Sequence, residues 1–137
     1  MLNATLSELS AALAARKLSS VELTRLHLER IARFDGELNA FITVDEPRAL
    51  ADAAKADAAR SRGEAGPLTG IPVAHKDIFC TRGMLTTCGS RMLEKFVSPY
   101  DAHVIEQFGS AGAVLLGKCN MDEYAMGSSS ETSYPER

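Results

Sequence analysis

Tryptophan is missing from the 137 residues, and only 6% are aromatic. No aromatics are interleaved with Lys and Arg in the manner of base-stacking surfaces. Positive charge is not in excess either: 15 Lys and Arg stand against 18 Asp and Glu, for a formal net charge of −3. That argues against a general nucleic-acid-binding surface while leaving room for a local basic patch. No apolar run approaches the roughly 20 residues that a membrane-spanning helix needs. The opening MLNATLSELS has neither the basic nor the apolar region of a secretory signal, so a cytoplasmic location is expected. The three cysteines, Cys80, Cys88 and Cys119, are odd in number and widely spaced. They form no C-x-x-C pair and no His/Cys cluster of zinc spacing, so no metal site is expected. Free thiols, buried in a reducing compartment, are the expected state.

What is present is ordinary for a globular protein, with 45% hydrophobic and 24% charged residues. The length suits about one domain. A single domain over 1–137 is expected, with a helical region over about 1–63 and a sheet core over about 64–137.

Thr5 to about Lys17 reads as a helix, with Thr5 and Glu8 at capping-box spacing and Leu6, Leu9 and Leu13 on one face. A second helix is expected from Ser20 to about Asp35, ended by Gly36. Ser19 and Glu22 also have capping-box spacing, so Ser19 competes with Ser20 as the cap. Glu22, Arg25, Glu29 and Arg33 share a narrow charged face, read as solvated. Leu23, Leu26, Leu28, Ile31 and Phe34 cover most of the rest, which calls for more than one neighbour. NAFITV, from Asn39 to Val44, is a short β-prone run. Asp45 and Pro47 open an alanine-rich third helix reaching about Arg62.

The stretch Gly70 to Cys80, GIPVAHKDIFC, reads as one strand, apolar on both faces, with a single cation, Lys76, set inside it. Two readings of Lys76 stand side by side. In one, it is a strand-end lysine whose stem covers apolar surface while its head reaches water. In the other, it is kept neutral to act as a base. Holding any lysine neutral near pH 7 means lowering an ordinary pKa of about 10.4 by roughly three units, about 4 kcal/mol. Asp77 alternates to the opposite face and need not pair with Lys76.

Thr81 to Ser90 reads mostly as loop, and Arg91 to Phe96 as a short helix. A helix is expected from Asp101 to about Ala111, burying Val104, Ile105, Phe108 and Ala111. A second buried strand follows from Ala113 to Leu116, leaving the sheet at Gly117. Strand, helix, strand in that order implies a right-handed crossover between parallel strands. Met121 to Arg137 begins as a short helical turn and becomes a serine-rich loop.

Gly112 to Cys119, GAVLLGKC, is one residue from a phosphate-binding P-loop. The residues between its glycines are apolar and strand-like, so that reading is set aside. His27, His75 and His103 are not placed as metal ligands, and packing or surface roles suit them. Ser128 to Ser130 after Met126-Gly127 suit a flexible loop, and such a loop can also present backbone N–H groups and hydroxyls to a substrate. There is no G-x-S-x-G elbow and no Ser/His/Asp set.

GIPVAHKDIF, TTCGSRMLEKFVSPYDA and AGAVLLGKCNMDEYAMGSSSETSY together resemble the amidase signature family. Within it they are most similar to the A-subunit branch of the glutamyl-tRNA(Gln) amidotransferases. The resemblance runs from near residue 5 to Tyr134 and covers the first part of the family's length. It implies an α/β fold: the N-terminal part of an amidase-signature domain, with helices packed on a mixed, partly parallel sheet. It also implies a Ser–cis-Ser–Lys triad whose lysine maps onto Lys76. There a neutral lysine takes a proton from a bridging serine, which activates the nucleophilic serine. Met126, Gly127 and Ser128 map near the wall of the substrate pocket. The implied function is release of ammonia from glutamine, used to convert Glu-tRNA(Gln) to Gln-tRNA(Gln). The implied partners are the B and C subunits of a heterotrimer. No cofactor is implied in this chain, while ATP and magnesium are used by a partner subunit.

Both triad serines fall in parts of the family beyond this chain, and Ser128, Ser129 and Ser130 are not assigned to either. The ending Pro135-Glu136-Arg137 also departs from the family pattern. The chain alone is therefore expected to be inactive and to expose apolar sheet surface. Two other readings stay open: an amidase of small amides without a tRNA role, and a non-catalytic piece contributing surface to a complex.

Overall fold

The structure, a computed structural model, describes residues 3–134. The departure expected at 135–137 lies outside the described residues.

Helix α1 spans Leu6–Ala14 and is capped as expected: the Glu8 N–H donates to Thr5 Oγ1 at 3.3 Å, and the Thr5 N–H donates to Glu8 Oε2 at 2.7 Å. Helix α2, Ser20–Leu38, repeats the device one residue ahead of its start. The Ser19 N–H donates to Glu22 Oε2 at 2.7 Å and the Glu22 N–H donates to Ser19 Oγ at 3.1 Å, so Ser19 is the cap. Ser20 is left for packing. Its N–H donates to Asp57 and its hydroxyl donates to the Gly70 carbonyl at 2.9 Å.

Gly36 does not end α2. A glycine inside a helix costs only about 1 kcal/mol, and the stop is set by its neighbours. Asn39 takes a left-handed φ of 50°, and its N–H donates to the Asp35 carbonyl at 2.9 Å. The Asp35 carboxylate accepts the next two N–H groups, from Ala40 at 2.7 Å and Phe41 at 3.1 Å. These bonds turn the chain into strand β1, Phe41–Val44. Helix α3, Glu46–Ser61, is capped by Asp45, which accepts the Arg48 N–H at 3.1 Å.

The strands β2, Pro72–Lys76, and β3, Val114–Cys119, complete a sheet in the order β1-β3-β2. β1 pairs antiparallel with β3, Phe41 opposite Cys119 and Val44 opposite Gly117. β2 runs parallel to β3: the Val114 N–H donates to the Ile71 carbonyl, and further along both segments the Asp77 N–H donates to the Cys119 carbonyl. Between these strands lies helix α4, His103–Ser110, with Ile105 as its buried residue. A 3-10 turn at Arg91–Leu93 stands where a short helix was expected.

Two strand boundaries differ from expectation. β2 stops at Lys76, because the Phe79 N–H donates to the Lys76 carbonyl at 3.1 Å and turns the chain. Ile78 and Phe79, expected inside the strand, are each 37% exposed. β3 does not leave the sheet at Gly117 but pairs through it and Lys118. Glycine is needed at that point, since a Cβ would run into the Thr43 carbonyl oxygen and come within 3.1 Å of the Val44 Cα. Residues 114–119 are thus a strand and not a phosphate-binding loop.

The chain divides into two compact units. The first, from 3–34, 45–73 and 108–116, holds both apolar clusters. Leu28, Ala49, Ala53, Val114 and Leu116 form one, and Leu9, Leu13, Leu23 and Ile71 the other. Ala49 and Ala53 are fully buried, so α3 packs through side chains that permit a close approach. The second unit, from 35–44, 74–107 and 117–134, carries the candidate site.

Candidate active site

Lys76 is the last residue of β2, and it is exposed. No described residue makes a hydrogen bond or an ion pair with it. The expected cation buried within an apolar strand is therefore not found at this position. The strand turns immediately after Lys76, and the side chain stands free on the face it leaves.

The buried lysine is Lys118, on the central strand β3, with a side chain 0% exposed. Its Nζ donates to the Phe79 carbonyl at 2.8 Å and to Thr86 Oγ1 at 3.1 Å, and it faces Asp77 Oδ1 at 3.1 Å. That last contact is one of charge, since Oδ1 takes no hydrogen bond. Asp77 Oδ2 accepts from the Thr87 N–H at 2.7 Å and from the Thr87 hydroxyl at 2.6 Å. The Cys88 N–H donates to the Asp77 carbonyl, and the Gly89 N–H to Thr87 Oγ1. One ion pair thus ties the turn after Lys76 to the 86–89 loop and to β3. Breaking such a buried pair by removing one partner costs about 3–5 kcal/mol, because a charge is left uncompensated.

The alternation of the strand places Asp77 away from Lys76, as the structure has it, but does not reveal Asp77's partner. A lone Lys behind four apolar residues is the available signal. It is hidden by the expectation that the strand ends at Gly117. His75, next to Lys76, is buried, and burial and then the Lys118 charge hold its imidazole below the ordinary range. The Cys88 thiol is pushed up by burial first, then by Asp77 and Cys80, with Lys118 opposing. Burial and then Asp35 push Cys119 up. All three cysteines are free.

Met126 is 85% exposed, and Gly127 and Ser128 are exposed beside it. No hydrogen bond joins them to Lys76 among the described residues. Their loop is anchored by Asp122, which the motifs do not single out. Asp122 Oδ2 accepts the N–H groups of Ser129 at 2.9 Å and Ser130 at 2.8 Å. Its Oδ1 accepts from the Thr132 N–H at 3.1 Å and hydroxyl at 2.9 Å. These donors, the Ser130 N–H foremost, hold the carboxyl below its usual range. Gly127 lies against the same carboxylate, and a Cβ there would come within 2.6 Å of its carbon. An Asp ahead of a Gly-Ser-Ser-Ser run is the signal in the sequence.

Elsewhere, a cavity of about 740 Å³ is lined by Arg16, Lys17, Asp57 and Arg60, and not by Lys76, Lys118 or the 126–128 segment. Among the described residues no cluster of His, Cys, Asp and Glu could hold a metal, and no helix is long and apolar enough to cross a membrane.

Residues 22–136 match the family model described as Amidase. The chain belongs to the amidase family. It is 66% identical over 134 residues to the glutamyl-tRNA(Gln) amidotransferase A subunit of Aromatoleum aromaticum, covering 98% of this chain and 27% of that protein. Against its counterpart from Methylococcus capsulatus it is 65% identical over 130 residues, covering 95% and 27%. The chain therefore spans about a quarter of the length of these curated amidase relatives. Among solved structures, the peptide amidase of Stenotrophomonas maltophilia superposes with a TM-score of 0.84 at 38% identity, covering 89% of this chain and 26% of that one. The glutamyl-tRNA(Gln) amidotransferase A subunit of Thermotoga maritima superposes with a TM-score of 0.72 at 38% identity, covering 96% and 26%. The expected fold stands: helices packed with a mixed α/β sheet, as in the N-terminal part of amidase-family proteins.

Proposed function

We propose that this chain is the N-terminal part of an amidase subunit that releases ammonia from glutamine, for conversion of Glu-tRNA(Gln) to Gln-tRNA(Gln). The observation that carries the reading is identity of 60–66% to A subunits of that amidotransferase over nearly the whole chain. B and C subunits are the partners on this reading, and ATP and magnesium act on a partner subunit. The complex works in the cytoplasm.

Lys76 is the base of the relay. The carboxylate next to it in the chain, Asp77, is engaged by Lys118 and Thr87. Among the described residues no carboxylate pairs with Lys76. A neutral amine then takes the proton of a bridging serine, and that serine activates the nucleophile. Met126, Gly127 and Ser128 supply part of the substrate wall, at a height fixed by Asp122. Both serines of the relay belong to the three quarters of the relatives that this chain does not span.

A second reading, an amidase of small amides with no tRNA role, is favoured by the superposition on the peptide amidase. The test is a hybrid enzyme with residues 1–134 joined to the remainder of the Aromatoleum aromaticum protein. With B and C subunits it should release ammonia from glutamine and amidate Glu-tRNA(Gln). Hydrolysis of simple amides with no tRNA product would favour the second reading. Loss of all activity, with the hybrid folded, would leave a non-catalytic role.

A further inference from the structure

The buried Lys118 has no part in the relay described above, yet its partner Asp77 is the residue next to Lys76. We propose that Lys118 is a positioning residue for Lys76: by cancelling the Asp77 charge and pinning the turn after β2, it keeps the neighbouring amine free to lose its proton. The inference rests on the reading of Lys76 as the base, but its mechanism is measurable without catalysis.

Three observations carry it. First, the Asp77 carboxylate is the nearest fixed negative charge to Lys76 in the sequence. It is fully buried while Lys76 is exposed, so the field between them is partly screened by solvent. Second, that carboxylate faces Lys118 Nζ at 3.1 Å, with both side chains fully buried. The pair is neutral as a unit, so the Asp77 charge is cancelled one residue along the chain from Lys76. Third, Lys118 Nζ also holds the Phe79 carbonyl at 2.8 Å. Phe79 supplies the N–H that closes the turn on the Lys76 carbonyl. The same ammonium thus sets both the field and the backbone at Lys76. Its field already reaches one basic neighbour, since it adds to burial in holding His75 below the ordinary range. The Cys88 thiol also feels both charges of the pair, together with Cys80.

Removing one charge of the pair should change the neutral fraction of Lys76, and removing both should restore it. Lys76 is exposed, and an amine reacts with an acylating ester only when neutral. The test is competitive labelling of Lys76 in the 137-residue chain with an amine-reactive ester, read by mass spectrometry from pH 7 to about pH 10. Lys118→Met should slow labelling of Lys76 several-fold at a given pH, because the uncompensated Asp77 charge retains the proton. Asp77→Asn should speed it several-fold. The double variant Asp77→Asn/Lys118→Met, neutral as the native pair is, should return to within about twofold of the native rate. Should Lys118→Met not fold, the other two variants carry the test. Labelling rates unchanged in the folded variants would overturn the proposal, as would a double variant as slow as Lys118→Met. If labelling follows the expected order but the hybrid enzyme keeps its activity in Lys76→Ala, the coupling stands and the catalytic reading falls.

Discussion

At the scale of single residues, one glycine and one aspartate bear most directly on the site. Gly117 lets β1 approach β3 where Lys118 begins its run into the interior. Gly117→Ala places a methyl group against the Thr43 carbonyl and the Val44 Cα. The expected loss is about 1–3 kcal/mol, the range for overpacking, and a lower urea midpoint with an unchanged slope measures it. Asp122 governs the 126–132 loop, and its effect has a definite sign with pH. Its folded carboxyl titrates below the usual range because three N–H groups and a hydroxyl stabilise the anion. The loop's anchoring is therefore complete above the unfolded value of about 3.9 and is lost as pH falls through the lower folded value. Amide exchange at Ser129, Ser130 and Thr132, corrected for intrinsic rates, should stay slow at pH 6 and quicken below about pH 4. Asp122→Ala should show the fast rates at pH 6. Equal protection in the two proteins would mean that the carboxylate does not hold the loop.

At the scale of elements, caps and periodicity are legible in the sequence, and ends set by side chains are not. Both Ser/Thr-x-x-Glu boxes fold as written, because each is closed within four residues. The end of α2 is not at Gly36 because the deciding bonds run from the Asp35 carboxylate to Ala40 and Phe41, which no local propensity reports. β3 outruns its expected end for a related reason: a glycine resembles a terminator unless the close partner strand is known. Among the described residues Lys76 has no carboxylate partner, and Asp77, which alternation left free of it, pairs elsewhere, but Lys76 is not buried. The burial belongs to Lys118, whose partners lie 32 to 41 residues away in the chain. The alanines of α3 make a further element-level prediction. Ala53 is fully buried in the cluster of Leu28, Val114 and Leu116. Ala53→Leu should cost about 1–3 kcal/mol through forced displacement of α3, whereas an exposed alanine of the same helix, Ala51, should accept leucine with little change. Urea unfolding of the two variants makes the comparison.

At the scale of the molecule, much apolar surface of the second unit is not covered, and two of its buried polar atoms, Thr43 Oγ1 and Asp77 Oδ1, take no hydrogen bond among the described residues. Met92 is 84% exposed, Tyr100 55% and Val97 54%. The 137-residue chain should therefore enhance the fluorescence of an apolar dye such as ANS while keeping a cooperative unfolding transition. Dye fluorescence at the level of free solution would contradict this. The chain spans about a quarter of its relatives' length, and on the proposed reading it carries one of three relay groups, so it should release no ammonia from glutamine on its own.

Whether Lys76 serves as a base is measured most directly in the hybrid enzyme. Ammonia release from glutamine should fall at least about a hundredfold in Lys76→Ala, the lower range for loss of general-base catalysis, with the fold intact by circular dichroism. Turnover in Lys76→Ala within a few-fold of the unaltered hybrid would contradict it.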